Sequence, residues 1–203
     1  MTERGLLIVF SWPSGVGKDT VLRAFMPRCA NCALSISTTT RLIRRDETDG
    51  VAYNFVSREA FESMIAAGEL LEYAEFAGNY YGTPASWVEE KLNEGKNVIL
   101  EIELRGAARV RELRPEALFV FLMPPSLKIL EERLRRRGTE DEAEIKRRLK
   151  IAKEEIKLGE SYDFVIVNED IERTCGLLAA VVSAAPCHVK YGRDALREVL
   201  KDA

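Results

Sequence analysis

A glycine-rich segment near the start of the chain has the composition of a phosphate-binding loop. It reads Trp12-Pro13-Ser14-Gly15-Val16-Gly17-Lys18-Asp19-Thr20 and follows the apolar run 6–10. In such loops the backbone N–H groups and the N-terminus of the next helix bind phosphates, while a lysine reaches the outer ones. Lys18 would offset the charge that develops during phosphoryl transfer. The predicted ATP-binding residues are Ser14, Gly15, Val16, Gly17, Lys18, Asp19 and Thr20.

Two positions of this loop depart from the usual pattern, which is Gly-x4-Gly-Lys followed by Ser or Thr. Trp12 stands in place of the first glycine, and Asp19 stands in place of the hydroxyl residue. A carboxylate beside phosphates is repulsive unless a cation lies between them, so Asp19 predicts a strong requirement for Mg²⁺. Either Asp19 or the neighbouring Thr20 would bind the metal. The alternative is a glycine-rich turn that only begins a helix.

A polar stretch that begins near residue 37 carries arginines suited to a second phosphate. Arg41 and Arg44 lie three residues apart, and a planar guanidinium donates paired hydrogen bonds to phosphate oxygens. Tyr53 and Tyr81 could add hydroxyl donors. Taken alone, the stretch is as typical of a charged loop that faces water.

A third basic group lies farther along the chain and could neutralise charge in a transition state. Arg133 and Arg137 lie one helical turn apart, and Arg148 follows in the next predicted helix. Arginines on a mobile flap can stabilise the oxygens of a transferring phosphoryl group as the flap closes. Acidic neighbours such as Glu144 leave a second interpretation open, in which the arginines form ion pairs on solvated helices.

Alternating strands and helices must position these residues. Strands are predicted at 6–10, 33–37, 98–103, 117–123 and 164–168, and helices at 20–25, 127–136 and 140–160. Such alternation indicates a parallel sheet covered by helices, with ligands beyond the carboxyl ends of its strands. The sequence therefore predicts an α/β fold with a doubly wound parallel sheet.

The stretch between the second and third of these strands has a different texture. Short strands at 53–56 and 70–76 flank a helix at 58–67, for which Ser57 is the expected N-cap. We therefore expect an inserted lobe of residues 38–96, a core domain of residues 1–37 and 97–203, and a helical lid near 134–148.

Composition limits the classes of partner. The 203 residues carry a net charge of −3, which does not favour nucleic acid or an anionic membrane. No apolar run approaches the roughly 20 residues that span a bilayer, and no signal peptide is visible, so a cytoplasmic protein is expected. Cys29 and Cys32 have Cys-x-x-Cys spacing without a second pair, and ordinary thiols are expected there rather than zinc or redox chemistry.

These motifs together resemble the guanylate kinase family. After the phosphate loop come Ser-x-Thr-Thr-Arg at 37–41, a following Arg, Glu, Gly and Tyr, and the segment 71–83. The resemblance continues through 101–106, 133–140 and 165–168, and it covers roughly residues 5–185. It implies a P-loop kinase that transfers the terminal phosphoryl group of ATP to GMP by in-line attack, with Mg²⁺ as the cofactor. Transfer to dGMP is expected as well.

The resemblance also implies roles for individual residues. The acceptor phosphate would be held by Ser37, Arg41, Arg44 and Tyr81, with Tyr53 beside them. Guanine would be read by Glu72, Thr83 and Glu103, because a carboxylate accepts from the ring N–H and the exocyclic amine. The catalytic arginines would be Arg133, Arg137 and Arg148, and Asn168 would contact adenine.

The chain departs from the family at two neighbouring carboxylates. Glu101 and Glu103 stand where the family has aspartates, and each side chain is one methylene longer. They lie two apart on a predicted strand, so a shared face is expected. Glu101 is a candidate metal ligand.

Two other functions stay open from the sequence. A kinase of ribose 1,5-bisphosphate would match the departure at Asp19, although it would not need carboxylates that read guanine. A non-catalytic interaction domain of the same family would be expected to lose Lys18 and the lid arginines, which this chain keeps. The oligomeric state is not predicted.

Overall fold

The computed structural model of the protein describes residues 4–138 and 141–201, without the side chains of residues 137, 192–195, 198 and 201. In this part of the chain the strands are β1 (Leu7–Ser11), β2 (Cys32–Leu34), β3 (Thr38–Thr39), β4 (Asn54–Phe55), β5 (Leu70–Phe76), β6 (Asn79–Pro84), β7 (Asn97–Glu101), β8 (Leu118–Met123) and β9 (Phe164–Val167). The α-helices are α1 (Lys18–Phe25), α2 (Arg58–Ala66), α3 (Ala85–Asn93), α4 (Leu104–Leu113), α5 (Leu127–Arg137), α6 (Glu142–Leu158), α7 (Ile171–Ala184) and α8 (Val189–Lys201). Short 3₁₀ turns occupy Met26–Arg28, Gly159–Ser161 and Ala185–Cys187.

The strands form a five-stranded sheet in the order β2-β7-β1-β8-β9 and a four-stranded sheet in the order β4-β3-β6-β5. In the first sheet β2 pairs with β7, and β8 with β9, in parallel. Every residue of β1 is buried, as expected for a continuous apolar strand with both faces covered. The predicted α/β class with a mostly parallel sheet is confirmed.

The described chain divides into two compact units. The first contains residues 4–9 and Asn31–Ala117, and the second contains Phe10–Ala30 with residues 118–138 and 141–201. The predicted lobe, residues 38–96, lies within the first unit, and the predicted phosphate loop and basic helices lie within the second.

The first unit is built around the four-stranded sheet. Strand β6 runs antiparallel to both β3 and β5, and β3 pairs with β4 in parallel. Helix α2 begins after Ser57, whose side chain accepts the N–H of Ala60, as the predicted N-cap requires. Phe61 of α2 is fully buried and stacks on Tyr80 of β6 at 5.3 Å. Helix α4 packs against β5.

The second unit carries the loop between β1 and α1 together with the C-terminal helices. Helices α5 and α6 share an apolar core of Leu130, Leu134, Ile145 and Ala152. Helix α7 packs against α1 and β9. Among the described residues, no helix has the length and apolarity that crossing a bilayer would require.

Two expectations from the sequence are wrong. Strand β7 ends at Glu101, and Glu103 instead is the N-cap residue of α4, so the two carboxylates do not share one strand face. Cys29 and Cys32 are disulfide-bonded rather than ordinary thiols.

Candidate nucleotide sites

At two positions of the phosphate loop in the second unit, the backbone has a conformation that only glycine adopts readily. Gly15 and Gly17 have φ angles of 90° and 94°, in the left-handed region. A Cβ at Gly15 would also lie 2.8 Å from the side chain of Leu134, so the loop lies directly on α5. Helix α1 begins at Lys18, immediately after this turn. The loop thus forms between a buried strand and a helix N-terminus, as the motif requires.

Lys18 contacts both residues that depart from the usual pattern. Its Nζ lies 4.9 Å from the ring centroid of Trp12 and 2.6 Å from Oδ1 of Asp19. The Trp12 ring in turn packs against Phe10, with 5.9 Å between centroids. Because the face of an indole attracts a cation, Trp12 makes a cation–π contact with the ammonium group that a glycine at this position could not make.

Two residues anchor the loop by hydrogen bonds to the carbonyl of Val16. Asn168 is 3% exposed, and its Nδ2 donates to the carbonyl of Val16 at 2.8 Å. Arg133 donates to the same carbonyl at 3.0 Å and to the carbonyl of Asn168 at 2.8 Å. Burial lowers the pKa of the Arg133 guanidinium, and the nearby charge of Arg136 lowers it further. The structure therefore brings Arg133 and Asn168 together at the loop.

Arg148 lies between the loop and its own helix. Its guanidinium contacts Oγ of Ser14 at 3.4 Å and Oε1 of Glu144 at 3.2 Å. Hydrogen bonds from Arg147 and Arg148 lower the pKa of Glu144 to about 2. Glu155, which the sequence did not indicate, accepts the N–H of Ser14 at 3.1 Å. Both interpretations of this arginine therefore have a structural basis, since it joins an ion pair and also reaches the loop.

A cavity of about 360 Å³ opens beside the loop. Its walls include Gly17, Thr20, Arg133, Arg136 and Asn168. This volume lies in the range of small-ligand sites, and its lining supplies both cationic and amide groups. The side chain of Arg137, the remaining predicted lid arginine, lies outside the described residues.

Three residues with side-chain oxygens are candidate metal ligands. Asp19 and Thr20 are exposed in the first turn of α1, while Glu101 is half-buried at the end of β7 in the first unit. Over residues 4–138 and 141–201, no group of three or more His, Cys, Asp or Glu side chains could hold a metal. Mg²⁺ commonly takes one or two protein oxygens together with phosphate and water, so Asp19 and Thr20 fit such a metal.

An arginine and two tyrosines meet in the first unit. Arg41 donates two hydrogen bonds to the carboxylate of Glu47, at 2.9 and 2.7 Å. Its guanidinium also lies 5.3 Å from the ring centroid of Tyr53, which packs edge-on against Tyr81. The hydrogen bond with Glu47 raises the pKa of Arg41, against the opposing effect of burial. Arg41 is thus held charged and in one orientation, which suits recognition of a phosphate.

The other predicted phosphate ligands lie on the same loop or next to it. Arg44 is exposed, and its backbone N–H donates to Oε2 of Glu47 at 2.9 Å. Ser37 is half-buried just before β3, and its carbonyl accepts the N–H of Asn54. Glu47 therefore organises the loop by binding both arginines, one through the side chain and one through the backbone.

A buried carboxylate lies on the neighbouring strands. Glu72 of β5 is only 5% exposed and faces Thr83 of β6, whose Oγ1 donates to Oε1 at 2.6 Å. Burial raises the pKa of Glu72, and the hydrogen bond from Thr83 lowers it in part. A Cβ at Gly106 would lie 2.6 Å from Oε2 of Glu72, so the carboxylate occupies space that only glycine leaves open. The carboxylate has about four acceptor positions, and among the described residues Thr83 is its one hydrogen-bond donor.

Strand β6 links this carboxylate to the phosphate-binding residues. Tyr81 and Thr83 lie two apart on the strand and share a face. Glu103 is exposed at the N-cap of α4, the helix that packs on the strand bearing Glu72. The predicted guanine-reading residues Glu72 and Thr83 are thus brought into direct contact, and Glu103 lies at the start of a neighbouring element.

Four residues near these sites were not identified as site residues from the sequence. Glu47 appeared only as part of a motif, although an acidic residue six positions after Arg41 is a usable signal for a loop-organising ion pair. Gly106 and Glu155 act through contacts with residues distant in the chain, and Thr174 acts on the loop through Asn168; no periodicity in the sequence marks these contacts.

Comparisons with known proteins cover nearly the whole chain. A family model described as Guanylate kinase matches residues 4–185. The guanylate kinase of Halalkalibacterium halodurans is 51% identical over 185 residues, which is 91% of each chain. That of Bacillus subtilis is 51% identical over 198 residues, covering 97% of this chain and 96% of its own. A crystal structure of guanylate kinase from Anaplasma phagocytophilum, 36% identical, matches with a TM-score of 0.75 over 98% of this chain and 95% of that one.

Proposed function

The chain belongs to the guanylate kinase family, and we propose that it binds ATP at the phosphate loop and GMP at the four-stranded sheet. The protein is a kinase that catalyses the ATP-dependent phosphorylation of GMP to GDP. The two alternatives, a ribose 1,5-bisphosphate kinase and a non-catalytic interaction domain, are not favoured, because guanylate kinases about half identical match more than nine-tenths of the chain.

The observation that carries the assignment of the acceptor is the buried carboxylate of Glu72. It is held by Thr83 and keeps further acceptor positions. Guanine presents two adjacent donors, the ring N–H and the exocyclic amine, whereas adenine presents a ring acceptor on that edge. A buried acceptor that is fixed in position discriminates strongly between bases, since a base without the matching donors would leave its acceptor positions unpaired. We assign Glu72 and Thr83, with Glu103, to the reading of guanine.

The phosphate of GMP is proposed to bind at the arginine and tyrosine cluster. Arg41 is already held in a planar, paired geometry by Glu47 and by the ring of Tyr53. Arg44 and Tyr81 would add donors from either side, and Ser37 would complete the set. Because Tyr81 lies on the same sheet as Glu72, and Ser37 and Arg41 lie in the segments that flank β3 of that sheet, a nucleotide could be held at both its base and its phosphate.

The ATP phosphates are proposed to bind at the loop from Ser14 to Thr20, which includes Gly15, Val16, Gly17 and Lys18. A divalent metal takes part in phosphoryl transfer by this family, and we propose that it is Mg²⁺ held by Asp19 or Thr20. Glu101 is a further candidate ligand. Bound to the phosphates, the cation would supply charge neutralisation. It would also separate the Asp19 carboxylate from the phosphate oxygens.

In the proposed mechanism the protein positions groups and neutralises charge, and no residue becomes covalently modified. An oxygen of the GMP phosphate attacks the γ-phosphorus of ATP in line, and ADP leaves. Lys18 would shift from Trp12 to the phosphates, and Arg133, Arg137 and Arg148 would stabilise the transferring group. Residues 38–96 would act as the GMP-binding lobe and residues near 134–148 as a lid on the core formed by 1–37 and 97–203. Exclusion of water would suppress ATP hydrolysis.

We further propose a cytoplasmic enzyme whose partners are its small-molecule substrates rather than nucleic acid or membranes, in keeping with the net charge of −3. Acceptance of dGMP is expected as well.

Product analysis tests this proposal. The purified chain is incubated with ATP, GMP and Mg²⁺, and the nucleotides are separated by anion-exchange chromatography. We expect ADP and GDP to form in equal amounts and to stop forming on addition of a chelator. ADP formed together with inorganic phosphate, without GDP, would contradict the proposal.

A further inference from the structure

A buried threonine holds the amide that anchors the phosphate loop. Thr174 of α7 is fully buried, and its Oγ1 donates to Oδ1 of Asn168 at 3.2 Å. The Nδ2 atom of the same amide donates to the Val16 carbonyl at 2.8 Å. The side chain of Asn168 therefore has its acceptor and one of its donors engaged within the protein, and its orientation is set by Thr174 on one side and by Val16 on the other.

The hydrogen bonds to the Val16 carbonyl also set the direction of the next backbone N–H, that of Gly17. The peptide bond between Val16 and Gly17 is trans, because no cis bond occurs among the described residues. In a planar trans peptide the N–H points opposite to the preceding C=O. The Val16 carbonyl is bound by Asn168 and Arg133, so the N–H of Gly17 points away from these two residues. No acceptor within residues 4–138 and 141–201 takes this N–H.

We propose that Thr174 is a positioning residue for the ATP site: its hydroxyl orients the Asn168 amide, which together with Arg133 sets the Val16–Gly17 peptide so that the Gly17 N–H meets the nucleotide phosphates. The proposal rests on the proposed function only in that ATP binds at this loop. It gives Asn168 a different task from contact with adenine, because the amide oxygen and nitrogen are both hydrogen-bonded within the protein and only 3% of the residue is exposed.

The Val16 carbonyl accepts hydrogen bonds from the charged Arg133 and from the neutral amide of Asn168. Loss of one donor should therefore affect ATP binding differently from loss of the other. Arg133 would also contact the transferring phosphate, so its replacement changes two properties at once. The hydroxyl of Thr174 lies 3.2 Å from Oδ1 of Asn168 and 3.5 Å from the carbonyl of Val167, and it makes no hydrogen bond to the described residues of the loop. Thr174 itself does not line the cavity, although Asn168 does. Substitution at Thr174 therefore isolates the positioning effect.

The test measures ATP and GMP binding by calorimetry for Thr174→Val and Thr174→Ser. Valine keeps the shape and removes the hydroxyl, so ATP should bind roughly fivefold more weakly, the usual effect of one neutral hydrogen bond. Affinity for GMP should stay within about twofold, and Thr174→Ser should restore ATP binding because serine keeps the donor. The matched control is Val182→Ala, a buried change on the same helix. It should lower the melting temperature and leave ATP affinity unchanged.

A double-mutant cycle decides whether Thr174 acts through Asn168. In an Asn168→Ala background, Thr174→Val should cause no further loss of ATP affinity. An additive loss would overturn the proposal, as would equal loss of ATP and GMP binding. The ratio of ATP to GTP affinity should not change in Thr174→Val; a changed ratio would mean that the amide reads the base directly, and would also overturn it.

A second variant keeps the proposal testable if Thr174→Val does not fold. Asn168→Asp retains an acceptor for Thr174 but places an oxygen against the Val16 carbonyl, so ATP binding should weaken at least about tenfold. Unchanged binding would contradict the proposal. Because calorimetry needs no turnover, a chain that binds ATP as expected but leaves GMP unphosphorylated would refute the proposed function alone.

Discussion

Replacement of Glu72 by glutamine should remove the recognition of guanine while making the folded state less sensitive to pH. Glutamine has nearly the same shape, so Thr83 can still donate to its oxygen. The second position, now an amide nitrogen, would then face the guanine donors instead of accepting from them. Hydrogen bonds to charged groups contribute about 1.5–3 kcal/mol each. A loss of about 3 kcal/mol corresponds to a roughly hundredfold fall in kcat/KM for GMP.

The same substitution has a stability effect whose sign follows from burial. Burial raises the pKa of Glu72 above its ordinary value. Between the ordinary and the raised pKa, the folded chain holds one more proton than the unfolded chain. Stability therefore falls as the pH rises through that window. The variant lacks this titration. Its melting temperature relative to the wild type should therefore increase as the pH rises.

Steady-state kinetics with GMP and AMP, together with thermal unfolding at several pH values, check both effects. Selectivity for GMP over AMP should collapse, and the KM for ATP should stay within about twofold. The matched control is Glu75→Gln on the same strand, where the carboxylate is exposed. It should change neither property. Retained GMP selectivity in Glu72→Gln, or a relative melting temperature that falls with rising pH, would refute the reasoning from this carboxylate.

Two further predictions concern the other contacts. Arg41→Lys loses the planar, paired hydrogen bonding that Arg41 makes with the carboxylate of Glu47. Steady-state kinetics should therefore show a KM for GMP at least about tenfold higher and an unchanged KM for ATP. The control is Arg45→Lys, at an exposed neighbouring position, and an equal effect there would count against a specific role for Arg41. Trp12 and Trp87 are the two tryptophans of the chain, so a Trp87→Phe variant reports the fluorescence of Trp12 alone. This fluorescence should change on addition of ATP and not of GMP, because Lys18 moves from the indole face to the phosphates. A response to GMP alone would contradict this prediction.

The sequence predicted the features of the molecule in which neighbouring residues act together. The phosphate loop combines a buried strand, two glycines in the left-handed region and a helix N-terminus within a short segment, and Gly15, Gly17 and Lys18 occupy the expected places. The same holds for the N-cap at Ser57, where local hydrogen bonding decides the start of α2.

The parts that could not be predicted depend on tertiary contacts or on where an element ends. Glu103 belongs to the N-cap of α4 rather than to a strand, since β7 ends two residues earlier. Gly106 lies against Glu72, and Thr174 acts through Asn168 on Val16, which is distant in the sequence; no periodicity marks such contacts. The role of Trp12 follows only from its distance to Lys18.

The most direct test of the central claim is a coupled assay of ADP release with ATP and Mg²⁺, in which GMP, dGMP, AMP, UMP, CMP and ribose 1,5-bisphosphate are offered separately. We expect turnover with GMP and dGMP and none above background with the others. Turnover with the sugar bisphosphate alone, or equal turnover with AMP and GMP, would contradict it.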